Sequence, residues 1–326
     1  MTAKLGVNGL EKRHLCRRVE KIALRDKDVP VTAPLASKPN MVKIHGCSIT
    51  LEPAPLIMGI VNINDDSFSD DGNLDPVWAL ERAHVLAEEG AHIIDLGAES
   101  ARTNRSPISV REEIRRLLPV VEGFALHFKH LHSPPLLSVN TWRSEVVEAI
   151  LPLGVDLLND MGGLPDDRNA RLCALHDTAL LIMHTTAAPK IPQSDVIHRD
   201  IMDTLHQFFE GKIALATAAG LPRNSLVLDP GIDFAKQTGD NLIIYRELDR
   251  LRNLGLPILL PISRKSVIGR VLGIRKPADR DAGTAACVVA GVLRQASILR
   301  VHNVAMARMA IAATQAVMQA DLSDFR

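Results

Sequence analysis

From Lys43 onward, short apolar runs bounded by turn residues alternate with longer segments of helical period. The runs are LIMGIV (56–61), HIIDLG (92–97), LLSVN (136–140), DLLND (156–160), LLIMH (180–184), LVLDP (226–230), PILLPIS (257–263) and ILRVH (298–302). A strand apolar on both faces must be covered on both faces, which is the condition of a parallel sheet with helical crossovers. The intervening segments, such as VWALERAHVLAEEG, REEIRRLLPVVEGF, SEVVEAILPLG and NLIIYRELDRLRNLG, carry the helical pattern, and several close on a glycine suited to a left-handed cap. Eight such units predict an α/β fold of the closed (β/α)8 type, a TIM barrel, with an open doubly wound sheet as the alternative. Ahead of the first unit, VKIHGCSITLEPA alternates around Gly46 and predicts a small hairpin at the bottom of the barrel.

Residues 1–40 break this rhythm. LCRRVEKIAL sets Leu15, Val19 and Ile22 on one helical face, and DVPVTAPLASKPN follows with the composition of a linker. The expected organisation is a flexible N-terminal extension over 1–40 and a barrel domain over 41–326. Lys+Arg and Asp+Glu both total 38, so no global field draws the chain to nucleic acid or an anionic membrane. No apolar run approaches the roughly 18 residues of a membrane span, and the first residues lack a secretory apolar segment, so a cytoplasmic protein is expected. Cys16, Cys47, Cys173 and Cys287 form no CxxC pair and read as reduced thiols rather than as a zinc site.

In a barrel of this kind, chemistry collects at the carboxyl ends of the strands. Each run here ends in hydrogen-bonding groups: Asn62; Glu99, Ser100 and Arg102; Asn140; Asn159 and Asp160; His184; Asp229; Ser263, Arg264 and Lys265; Arg300 and His302. Any one of them suits a helix cap or a satisfied core polar group. Together, Asn140, Asn159 and Asp229 offer a fixed donor and acceptor pattern for the edge of a nitrogen-rich heterocycle. Arg300, His302, Arg102 and Asn62 make a cationic and amide rim suited to phosphate oxygens. Lys265, at a helix start, is able to bridge a ring acceptor and a second substrate.

LIMGIVNINDDSFSDDG, HIIDLGAESAR, LLSVNTWRSEVV, LLNDMGG, LVLDPGIDFAK, ISRKSVIG and LRVHNV occur in the order of the motifs of the dihydropteroate synthases, and over residues 43–320 the chain resembles that pterin-binding barrel family. The resemblance implies condensation of 6-hydroxymethyl-7,8-dihydropterin diphosphate with 4-aminobenzoate, giving 7,8-dihydropteroate and diphosphate in folate synthesis, with Mg2+ and a homodimer. It assigns Asp229, Asn159 and Asn140 to the pterin and Lys265 to the pterin with the aminobenzoate nearby. Asn62, Arg300 and His302 fall to the diphosphate, Asn62 also to the metal. Phe234 and Ser266 flank the aminobenzoate, beside Ala101. The segment after the first strand and the Arg102 loop close over the diphosphate as a lid. Lys265, Arg300, His302 and Arg102 are the implied catalytic groups.

The chain also departs from the family pattern. Asn140 stands where the family carries an aspartate facing the pterin, Ala101 and Thr103 replace a threonine and a proline, Asp233 and Ala235 replace glycines, and Asn303 replaces an aspartate. These changes leave open a synthase of reduced activity, a pterin-binding paralogue without turnover, and a pterin-dependent methyltransferase on the same barrel.

Overall fold

The computed structural model describes residues 41–51, 54–65, 72–100, 106–191 and 196–320. The expected N-terminal extension, Ala101, Arg102, Thr103 and most of the polar segment after the first barrel strand lie outside the described residues.

Strands β1 (Met41–Ile44) and β2 (Cys47–Thr50) pair antiparallel, with Met41 opposite Thr50 and Ile44 opposite Cys47. The turn between them is two residues, His45 at φ 48° and Gly46 at φ 81°. Positive φ at both positions gives the twist that matches a hairpin, and the glycine takes it without strain.

The eight barrel strands are β3 (Leu56–Asn62), β4 (Ile93–Gly97), β5 (Leu136–Asn140), β6 (Leu157–Asp160), β7 (Ala179–Met183), β8 (Leu226–Asp229), β9 (Leu259–Pro261) and β10 (Ile298–Val301). They lie in the order β8-β7-β6-β5-β4-β3-β10-β9, parallel at every pairing. The ring closes through a parallel bridge between Leu228 and Ile258, where the Leu228 N–H donates to the Pro257 carbonyl at 2.9 Å. All eight apolar runs are therefore strands. The seventh is shorter than its apolar run because Pro257 and Pro261 bring no N–H to the ladder.

Nine α-helices among the described residues cover the ring: α1 (Pro76–Glu89), α2 (Val110–His127), α3 (Ser144–Ile150), α4 (Arg168–His176), α5 (Ile201–Ala218), α6 (Thr238–Glu247), α7 (Ser266–Leu272), α8 (Asp281–Leu293) and α9 (Val304–Gln319). Asp75, Ser109, Asp200 and Asn303 cap four of them by accepting from first-turn N–H groups, and α1 has Pro76 at its first position.

The period of two in each strand sorts side chains into two cores. Outward-facing Ile57, Ile94, Leu137, Leu158, Leu180 and Leu260 pack with the helices. Inward-facing Leu56, Ile93, Leu136, Leu157, Ala179, Val227, Leu259 and Ile298, at the strand starts, pack with Val42, Ile44, Cys47 and Ile49 of the hairpin. The hairpin thus plugs the amino-terminal end, as its sequence predicts, and the His45 N–H fastens it to the Asp177 carbonyl at 2.7 Å. Cys173 and Cys287 are free thiols, whereas Cys47 is disulfide-bonded, which corrects the expectation of reduced thiols throughout.

Ile49 is 1% exposed at the centre of this plug. Ile49→Ala should lower the unfolding free energy by about 2 to 5 kcal/mol, read in urea as a fall in midpoint at unchanged slope.

Candidate active site at the carboxyl ends of the strands

Two residues beyond the apolar bottom layer, the same inward faces carry Asp95 on β4, Ser138 on β5, Asn159 on β6, Asp229 on β8 and Arg300 on β10. Asp95 is fully buried. Its Oδ1 accepts from Ser138 Oγ at 2.6 Å, and its Oδ2 accepts from Asn159 Nδ2 at 3.1 Å and from Arg300 Nε at 2.8 Å. Arg300 Nη2 lies 2.7 Å from the same oxygen. A carboxylate in an enclosed barrel is tolerated because it is paired and hydrogen-bonded in this way. Asp95 therefore fixes Asn159 and Arg300 in place from below.

Asp229, at the end of β8, accepts the Gly231 N–H at 2.7 Å. Burial pushes its carboxyl up to about 6, against the opposing influence of that hydrogen bond and of Lys265, Arg300 and Lys236. The tight turn needs Gly231: φ is +67°, and a Cβ there would stand 2.2 Å from the His184 carbonyl oxygen. Lys265 donates from Nζ to the Ile232 carbonyl at 3.0 Å and lies 5.2 Å from the Phe234 ring centroid. Enclosure lowers its pKa, opposed by Asp233 and Asp229. Ser266 follows as the first residue of α7, with Asp233 accepting its N–H.

His184 and Lys236 form a pair behind this wall. Lys236 Nζ is 2.8 Å from His184 Nδ1 and donates to the Phe234 carbonyl at 2.8 Å. Burial lowers the lysine to about 7, and burial with Lys236 and His198 lowers the histidine to about 2. His184 is thus a neutral acceptor inside the wall rather than a group presented at the strand end.

His302 Nδ1 is 2.8 Å from Ser263 Oγ, which also accepts the His302 N–H at 3.1 Å. The serine thereby sets the ring's orientation. Asn303 accepts from Met306 N and donates from Nδ2 to Asp281 Oδ2 at 3.0 Å. The departure at 303 has a physical reason: an aspartate there would face Asp281 with like charge. Asn62 ends β3, and its carbonyl accepts the Asn73 N–H at 3.1 Å. Asn140 pairs in register with Gly97 and Asn159, and its enclosed Oδ1 has no hydrogen-bond partner among the described residues.

Glu99 and Arg143 secure the far end of the segment that carries Ala101 and Arg102. Glu99 Oε1 accepts the Ile108 N–H at 3.1 Å, Arg143 donates to the Ile108 carbonyl at 3.1 Å, and the two side chains bond at 2.5 Å. Arg143 also bonds the buried Glu113 of α2.

Of the strand-end groups expected from sequence, Asn159, Asp229, Lys265 and Arg300 gather at one mouth, whereas His184 turns into the wall, Asp160 turns to Asn169 of α4, Arg264 pairs with Asp281, and those in 101–105 lie outside the described residues. Asp95, Ser138 and Lys236 were not expected. Asp95 carried a readable signal, since it is the one acid inside the apolar run HIIDLG. Among the described residues no group of three or more His, Cys, Asp or Glu side chains converges to hold a metal.

Arg300→Ala leaves Asp95 buried without its cation, and a cost of about 3 to 5 kcal/mol in unfolding free energy is expected. Asp95→Ala together with Arg300→Ala should cost less than the sum of the two single changes, by more than about 1 kcal/mol in a double-mutant cycle.

Comparison with known proteins agrees with this geometry. Residues 58–302 match the model of a family described as pterin binding enzyme. The dihydropteroate synthase of Synechocystis is 35% identical over 256 residues, covering 78% of this chain and 87% of the relative. A crystal structure of the Yersinia pestis dihydropteroate synthase with a sulfonamide drug complex superposes with a TM-score of 0.79 at 33% identity, covering 86% of this chain and all of the other. The Xanthomonas albilineans dihydropteroate synthase in complex with 7,8-dihydropteroate gives a TM-score of 0.73 at 31% identity, covering 86% of this chain and all of the other. With a closed barrel, a polar tier built on Asp95 and relatives matched over most of its length, the chain belongs to the dihydropteroate synthase family of pterin-binding enzymes.

Proposed function

We infer that the chain condenses 6-hydroxymethyl-7,8-dihydropterin diphosphate with 4-aminobenzoate to give 7,8-dihydropteroate and diphosphate. The observation that carries this reading is the grouping of Asp229, Asn159, Lys265 and Arg300 at one mouth, one carboxylate and one amide facing two cations. The pterin-binding paralogue and the methyltransferase find no support in the relatives, which carry the synthase name.

In this reading Asp229, as a carboxylate, accepts the paired N–H donors of the pterin edge, and Asn159, its nitrogen held by Asp95, turns its carbonyl oxygen to the same ring. The pterin methylene C–O bond breaks and its electron pair leaves with the diphosphate, giving a cation delocalised into the ring. The arylamine nitrogen then attacks, forming the C–N bond and losing a proton. The protein supplies no nucleophile. It orients the pterin, sets Arg300 and His302 against the leaving charge, and keeps water from the reactive carbon. Phe234 and Ser266 wall the arylamine beside Lys265.

Mg2+ takes few protein ligands and most of its shell from substrate phosphates and water. Asn62 is the residue that would hold it, and the ion would supply charge neutralisation on the diphosphate. Leu293, Met309, Val317 and Met318 expose more than half of their surface along α8 and α9, which supports a homodimer. No helix among the described residues is long and apolar enough to cross a membrane.

Growth of a strain lacking its own dihydropteroate synthase tests the activity: the gene for this chain should restore growth without supplied folate products. A folded, expressed protein that fails to do so overturns the reading.

Asn140→Asp returns a carboxylate to the position where the family has one. Turnover should rise by about ten- to a hundredfold, because a carboxylate stabilises the ring cation with a charge-assisted contact of about 1.5 to 3 kcal/mol where the amide does not. Initial rates of diphosphate release in parent and variant measure it. Equal rates would show that the amide suffices.

A further inference from the structure

Between β8 and α6 the chain turns through three left-handed residues in alternation, Gly231 at φ +67°, Asp233 at +70° and Ala235 at +51°. Glycine takes this backbone freely, whereas a β-carbon opposes it, so Asp233 and Ala235 stay there because their surroundings hold them. Contacts along the run supply that hold. Lys265 donates to the Ile232 carbonyl at 3.0 Å, the Asp233 N–H donates to Asn241 Oδ1 at 2.8 Å, and the Ala235 carbonyl accepts from His198 Nε2 at 2.8 Å. The Phe234 carbonyl, on the peptide that leads into Ala235, accepts from Lys236 Nζ at 2.8 Å. Lys236 is buried, and His184 Nδ1 fixes its Nζ from the other side at 2.8 Å. His184 is buried in turn, its ring edge-on to Phe208 at 4.7 Å and its N–H bonded to the Asp229 carbonyl at 2.8 Å. No step of the proposed reaction uses this lysine.

We infer that Lys236 is a positioning residue for the second substrate: braced by His184, it holds the Phe234 carbonyl, and through that peptide the left-handed turn at Ala235, so that the Phe234 ring stays beside the Lys265 ammonium as one wall of the arylamine subsite. The inference rests on the proposed synthase reading, in which Phe234 flanks 4-aminobenzoate. The ring centroid lies 5.2 Å from Lys265 Nζ, and the ring packs on the inner apolar core. Releasing the peptide lets the turn relax from its left-handed backbone and carries the ring out of that contact. Lys236 acts through Phe234 and touches no substrate.

Lys236→Met keeps the length and bulk of the side chain and removes the donor. At about pH 8.5 the comparison isolates the hydrogen bonds, because burial lowers Lys236 to about 7 and holds Asp229 at about 6, so the lysine is largely neutral and Asp229 ionised. A neutral amine still carries an N–H for each of its two partners. Initial rates, and calorimetry of 4-aminobenzoate on protein saturated with 6-hydroxymethylpterin and diphosphate, are compared in parent and variant at that pH. KM and Kd for 4-aminobenzoate should rise about tenfold, the scale of one lost hydrogen bond, with kcat and the KM for the pterin diphosphate changed less than about twofold. Ala235→Gly removes the β-carbon that strains the turn, and added to Lys236→Met it should bring the rise below about threefold. A lysine that served only global stability would show no such rescue. His198→Ala, at a partly exposed position, breaks the neighbouring contact and should raise the same constants about threefold, which tests the inference where Lys236→Met does not fold. An equal loss for both substrates, a fall in kcat with KM unchanged, or unchanged constants in both single variants would overturn the inference. No turnover by the folded parent would instead overturn the synthase reading, and the calorimetric comparison would then decide the role of Lys236.

Discussion

A buried carboxylate has to be satisfied, and the mouth of this barrel is organised around satisfying Asp95. One oxygen takes the Ser138 hydroxyl, and the other takes Asn159 and the Arg300 guanidinium, so side chains from β5, β6 and β10 are drawn to a point on β4. The register makes this possible, since Asp95 pairs with Ser138 and Arg300 with Met58 in the same ring. Below that level the interior is apolar and closed by the hairpin. The polar tier therefore has one open side, towards the strand ends, where Asp229, Lys265 and His302 already stand.

The departures from the family pattern redistribute charge over this frame rather than dismantle it. Asn140 removes an acid one level above Asp95 and leaves an enclosed acceptor oxygen without a partner among the described residues. Asn303 turns a would-be repulsion with Asp281 into a hydrogen bond while still capping α9. Asp233 moves a negative charge to the start of α7. Relative to the family pattern, the strand-end mouth loses an acid at Asn140 and the start of α7 gains one at Asp233. Arg300 and Lys265 keep positive charge beside Asp229.

Burial divides the titratable groups of the site by role. Asp229 is pushed up to about 6 and Lys236 down to about 7, both chiefly by loss of water, so each is held near the point where its charge depends on its neighbours. His184 goes further and is fixed as a neutral acceptor for the lysine. A strand-end histidine that in sequence is one more hydrogen-bonding group at the rim is thus part of the wall, supporting the Phe234 carbonyl through Lys236.

The local sequence determined the eight strands, the hairpin turn at His45 and Gly46, the caps at Asp75, Ser109 and Asp200, and the polar ending of each strand, because all of these follow from patterns a few residues long. Burial periodicity and turn chemistry act at that range. Which ends meet, and what each then does, was decided by tertiary structure. Asp95 finds Ser138 43 residues away, Asn159 64 away and Arg300 205 away. Lys236 finds His184 52 residues back, and Asp233 meets Ser266 33 residues on. Such contacts depend on barrel closure and strand register, which set distances that no local pattern encodes, and they turn a list of polar strand ends into a site with held, charged and neutral members.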